Sequence, residues 1–217
     1  MIRQALCYTL VVSYTLMLSC NKPTTPSDNK NNTTSSLSTP GTAATVEAEN
    51  RFHKGIGAPI AREKAEQWKQ KYRTLRGTTQ IQYSFKADVL KALLTQDTSV
   101  VCIAFYLVNT QQGLDILPIG VSHTNGLVKK ETLISARGQL FSWTKAQQLR
   151  DSYSGTTKAL IFGANTFTRL IENQEAQTIL IEPGINDSNE ETLLLSDAND
   201  NDSPVEDNAS RCPTACP

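Results

Sequence analysis

The 217-residue sequence has few of the side chains that chemistry uses most often. It has two histidines, no Gly-x-Ser-x-Gly elbow, no His-Glu-x-x-His pair and no glycine-rich phosphate loop. His53 lies beside a low-complexity stretch, which leaves His123, in an expected turn, as the one His placed for a general base; a solvated loop residue is the simpler reading of it. Carboxylate pairs stay open as catalytic groups, but spacing singles none out. An enzyme is therefore the minority reading, and no cofactor is expected. Aromatics make up 6% and charged residues 19%, so a core must rest on aliphatics. The formal net charge of zero argues against a chain basic throughout, and so against nucleic acid as a partner. The apolar run Ala5 to Leu18 is 14 residues long, short of the ~20 a membrane-spanning helix needs.

The zero net charge hides an asymmetry. Glu182 to Pro217 holds nine acids and one base, Arg211, whereas Asn21 to Ile181 holds 19 bases and 12 acids. An acidic end folding back on a basic body is the simplest use of that division. From Ser196 to Ala209 the chain is polar and interrupted by Pro204, and nothing there is expected to fold by burial.

The first residues read as an address. Arg3 precedes the apolar run, which closes on Leu16-Met17-Leu18-Ser19-Cys20. That ending resembles a bacterial lipobox. The resemblance implies cleavage after residue 19 and a diacylglycerol on Cys20, hence a lipoprotein held at a membrane. Asn21 follows the cysteine where a retained inner-membrane lipoprotein would have Asp, so the outer membrane is the expected address. An ordinary secretory cleavage and an uncleaved anchor are the alternatives. Of the 30 residues from Asn21 to Asn50, nineteen are Thr, Ser, Asn or Pro. Too little apolar surface is present there to offset the entropy of ordering, so residues 20–56 are read as lipid anchor and tether.

The fold class expected for the rest is α+β. Ala61, Ala65, Trp68, Tyr72 and Leu75 form a helical stripe, with Pro59 suited to its first turn and Gly77 to its end. A short strand is expected at Ile81 to Tyr83 and a second helix from Phe85 to Gln96. Val100 to Val108 is almost wholly apolar, as in a central strand buried on both faces. The turn Asn109 to Gly113 leads to a returning strand, Leu114 to Val121, which holds Pro118 and so suits a sheet edge.

The same order of helix, strand, helix and hairpin is expected again after Phe141. Lys64, Ala65, Gln67 and Tyr72 are echoed by Lys145, Ala146, Gln148 and Tyr153 at an offset of 81. Phe85, Leu93 and Leu117 are echoed by Phe162, Leu170 and Leu194 at an offset of 77. Ser142 suits the cap of the second unit's helix, and Glu182-Pro183-Gly184 is expected to interrupt its apolar strand. The units are drawn as 57–127 and 141–203, with a connection at 128–140, the signal peptide at 1–19 and a tail at 204–217. A pseudo-symmetric tandem repeat is one reading; two similar units arising by accident is the other.

The run Ile60, Ala65, Trp68, Tyr72, Phe85, Leu93 and Leu94, with Cys102 in a strand and a Cys-Pro-x-x-Cys end, resembles a family of uncharacterised bacterial envelope proteins. Its members have a helix–helix–hairpin unit and a Cys-Pro-Pro-x-Cys tail, matched here over Pro59 to Asn125 and Cys212 to Pro217. Thr214 departs from that pattern. The resemblance implies no activity.

Cys212 and Cys216 are read first as a local disulfide, which an exported protein permits; metal ligation, free thiols and pairing to Cys102 are the alternatives. Cys102 itself is expected to be a buried, reduced small hydrophobe. Asp197, Asn199 and Asn201 match the first ligand positions of a calcium loop, but Asp202 stands where its Gly belongs and Asn208 where its Glu belongs. A solvated acidic turn is the plainer account. The function expected is a lipid-anchored, non-enzymatic envelope module that binds another envelope protein or a glycan. A hydrolase acting on envelope polymers and a calcium-dependent binding module are the alternatives.

Overall fold

A computed structural model describes residues 52–77, 81–124, 126–207 and 209–212, with Cys212 described by its backbone alone. Helix α1 (Arg62–Arg76) follows the short strand β1 (Ala58–Ile60). Pro59 therefore lies in β1, one element earlier than the sequence suggests. It sits opposite Glu206. Gly77 ends α1 in the left-handed conformation, φ 60°, and its N–H donates to the Arg73 carbonyl; glycine adopts that backbone without a Cβ clash. Leu75, expected on the inward stripe, is 64% exposed.

Strand β2 (Tyr83–Lys86) and helix α2 (Ala87–Leu94) come next, then the hairpin of β3 (Val100–Thr110) and β4 (Gly113–Ser122). After a small ribbon, β5 (Thr132–Ile134) with β6 (Leu140–Ser142), the order continues with α3 (Trp143–Ser152) and β7 (Ala159–Gly163). Helix α4 (Ala164–Phe167) runs into a π-helical turn, Thr168–Asn173. The hairpin of β8 (Thr178–Ile185) and β9 (Glu191–Asp197), then β10 (Val205–Asp207) and β11 (Ser210–Cys212), complete the described chain. The class is α+β, mostly sheet. Helix, strand, helix and hairpin occur in the expected order in both halves. Ser142 caps α3 as expected, its Oγ accepting from the Lys145 N–H.

The strand pairings cross between the halves. One sheet has the order β1-β10-β9-β8-β2 and the other β11-β7-β3-β4. The early strand β2 thus joins the late hairpin, with Phe85 opposite Ile179. The late strand β7 joins the early hairpin, with Phe162 opposite Ile103. The sheets meet through aromatic rings: Phe105 of β3 lies 6.1 Å from Phe85 and 6.2 Å from Phe167, centroid to centroid. Around them Leu90, Leu93, Ile119, Leu170, Ile181 and Leu195 are almost fully buried. As expected, β3 is central and β4, with Pro118, lies at an edge.

The helices cover the outer faces. Along β9, Leu193 and Leu195 face the main core, while Leu194 packs with Ala65 and Trp68 of α1. Helix α3 lies on β3, and its Arg150 guanidinium sits 5.6 Å above the Tyr106 ring.

Two expectations are corrected here. Strand β8 runs unbroken through Glu182, Pro183 and Gly184, because Glu182 faces α1 and receives a 2.7 Å hydrogen bond from the buried Lys69 ammonium. The acidic end also folds by burial. Val205, Glu206 and Asp207 are 2%, 0% and 2% exposed, and β10 is flanked by β1 and β9. The Arg169 guanidinium donates two hydrogen bonds to the Glu206 carboxylate, at 2.6 and 2.7 Å, which supplies the cation a buried carboxylate needs. The acidic end does return to the basic body, as one of its sheet strands.

Candidate binding cleft

A cleft of ≈ 350 Å³ opens where the end of α1, the loop after α3 and the tips of both hairpins converge. Tyr72 and Arg76 come from α1, Tyr83 from β2, and Leu107 and Leu114 from the early hairpin. Tyr153 and Thr157 follow α3, Leu160 lies on β7, and Pro183, Glu191 and Leu193 belong to the late hairpin. Its volume falls within the range of small-molecule pockets.

The polar groups have defined states. Arg76 donates to Glu191, and that bond holds the guanidinium pKa above its ordinary value. Burial, with a smaller contribution from Glu191, raises the Tyr72 and Tyr153 phenols. Burial pushes Tyr83 up to about 12, and its hydroxyl donates to the Leu114 carbonyl at 3.4 Å. All three phenols therefore carry a proton at neutral pH; Tyr83 gives its proton to Leu114 and keeps acceptor capacity.

A second cavity of ≈ 410 Å³ shares Glu191 and Thr192 with the first and continues along Asn186, Glu190, Asp207 and Arg211. Arg211 donates to Glu190 at 2.8 Å and to the Thr157 hydroxyl at 2.9 Å, which joins the walls of the two cavities. The Thr192 hydroxyl donates to Asp207 at 2.5 Å. The two spaces lie side by side, the first lined by aromatic rings and the Arg76–Glu191 pair, the second by Arg211, Glu190 and Asp207.

The residues singled out in the sequence lie elsewhere. The Cys102 thiol is buried and free, donates to the His53 carbonyl at 3.3 Å, and is pushed up to about 12 by burial. Cys212 pairs through its backbone with Ala159. Its side chain, Cys20 and Cys216 lie outside the described residues. Exposed His123 turns Nδ1 toward the Ser99 carbonyl, and His53 accepts from the Gly55 N–H. Asp197 ends β9 and accepts from the Asn199 N–H at 2.9 Å. Asp200 accepts from the Asp202 N–H and the Ser203 hydroxyl, contacts that hold its carboxyl below the usual range. Arg62 donates to the Asp200 and Ser203 carbonyls at 3.0 and 2.7 Å, so this turn is tied to α1. Asn201 lines a polar groove with Arg62, Lys69 and Glu182. Among the described residues no group of three or more His, Cys, Asp or Glu side chains is arranged so that it could hold a metal ion.

Sequence reasoning missed the cleft because its members come from both halves. The one signal present was the Tyr72–Tyr153 correspondence. Family models, curated proteins and solved structures offer no match to this chain.

Proposed function

We propose that this protein is an outer-membrane lipoprotein, anchored through Cys20, whose two related units exchange strands and bind an envelope ligand in the cleft between Tyr72 and Tyr153. The observation that carries the reading is the pairing of positions across that cleft. The offset of 81 relates Tyr72 to Tyr153 and Arg76 to Thr157, and the offset of 77 relates Tyr83 to Leu160 and Leu114 to Glu191. All eight residues line the same cavity. A dyad through the cleft accounts for this, and the crossed strand pairings follow it to within one residue: the offset of 77 carries Phe85 to Phe162 and Ile103 to Leu180, the neighbour of Ile179. Sites between related units are a common place for ligands, since neither unit alone closes the cavity.

A ligand that binds only the folded state raises the thermal midpoint. Envelope extract fractions should therefore raise the midpoint of the full chain and leave a Tyr72→Ala/Tyr153→Ala variant unmoved. Equal shifts in both proteins, or none from any fraction, would defeat the cleft reading. Replacing Cys20 with Ala should abolish partition into detergent. A variant that still partitions with a processed N-terminus would place the anchor elsewhere.

A further inference from the structure

We infer that the ligand of this cleft is a short, uncharged oligosaccharide. The inference rests on the cleft being the binding site and adds the chemistry of what enters it. Two ion pairs line the cleft, Arg76 with Glu191 and Arg211 with Glu190, and the Asp207 carboxylate receives the Thr192 hydroxyl. A phosphate or carboxylate that approached Arg76 or Arg211 would lie beside the carboxylate of Glu191 or Glu190, and that like-charge contact is unfavourable. An ammonium ligand at either carboxylate would lie beside a guanidinium in the same way. A neutral ligand meets neither repulsion.

Paired ions still present donors and acceptors at their edges. A guanidinium has five N–H groups and a carboxylate about four lone-pair sites, so one ion pair leaves several of each unspent. Adjacent hydroxyls on a sugar ring both donate and accept, and they can bridge such a pair without disturbing it. The Tyr72, Tyr83 and Tyr153 phenols and Thr157 extend this mixed hydrogen-bonding surface.

Tyr72 and Tyr153 add the apolar part. The face of an aromatic ring carries partial negative charge, and the polarised C–H groups on one side of a pyranose rest favourably on it. Ile81, Leu107, Leu114, Leu160 and Leu193 supply further apolar wall. A sugar has this combination of a C–H face and a hydroxyl rim. The second cavity lies beside the first at Glu191 and Thr192 and offers a place for the next residue of a chain, so an oligomer fits the site better than a single ring.

The test uses the full chain labelled with carbon-13 in its tyrosine rings, with signals assigned through Tyr72→Phe, Tyr83→Phe and Tyr153→Phe. It is titrated with neutral trisaccharides of glucose, mannose, galactose and N-acetylglucosamine, and separately with trialanine and a fragment set of small apolar acids and amines. At least one trisaccharide should shift the Tyr72 and Tyr153 signals saturably. Glu191→Gln should weaken that binding about tenfold, the loss of one hydrogen bond to a charged group, and Lys64→Ala on the outer face of α1 should leave it unchanged. Shifts from trialanine or a charged fragment, with none from any sugar, would overturn the saccharide assignment and leave the cleft standing. Silence from every class would overturn both.

Discussion

Lys69 and Glu182, 113 positions apart in the chain, meet at 2.7 Å on the covered face of a sheet, with side chains 9% and 6% exposed. Lys69 also pairs with Glu66, which is half exposed. Glu182 lies on β8 beneath α1.

The second partner of Lys69 sets the first prediction. Lys69→Met removes the cation beside a buried carboxylate and should cost about 3 kcal/mol. Glu182→Gln leaves Lys69 its partner Glu66 and should cost about 1 kcal/mol. Urea denaturation of both variants checks the order; equal losses would mean that Glu66 gives Lys69 no compensation.

Cys102 should resist alkylation. Burial raises its thiol to about 12, so the reactive thiolate is scarce at neutral pH, and the strand excludes the reagent. Iodoacetamide applied to the native protein at pH 8 should leave Cys102 unmodified by peptide mapping, and urea should expose it. The same map tests the Cys212–Cys216 disulfide. Two alkylatable tail thiols, or a Cys102 link to the tail, would exclude that pairing.

Alkaline pH should destabilise the fold through Tyr83 and Tyr106, both raised to about 12 chiefly by burial. An unfolded tyrosine ionises near ~10. Their stabilising contribution is therefore complete below that value and lost as pH rises toward 12, because the unfolded chain ionises first. Tyr83→Phe should flatten the decline. Thermal midpoints measured from pH 8 to 12 check it, and an identical decline in the variant would assign the effect to other groups.

The sequence by itself determined what neighbours in the chain decide. Gly77 ends α1 and Ser142 begins α3 because caps act over three or four residues. The β3–β4 hairpin was legible because an apolar run, a short turn and a returning apolar run are contiguous, and Pro118 marked the edge because it has no N–H to give a neighbour. Tertiary structure decided the partners. No local pattern sends β2 to β8 and β7 to β3, since a strand's unpaired backbone groups accept any strand that presents an apolar face in register. For the same reason Glu182 looked like a break in β8 and Glu206 like part of a solvated tail. A buried carboxylate needs a partner, and Lys69 and Arg169 reach Glu182 and Glu206 from distant positions. The cleft lies on the same side of that division: Tyr72 and Tyr153 were visible in the sequence as an echo, but only the crossing of the two halves put them on one cavity.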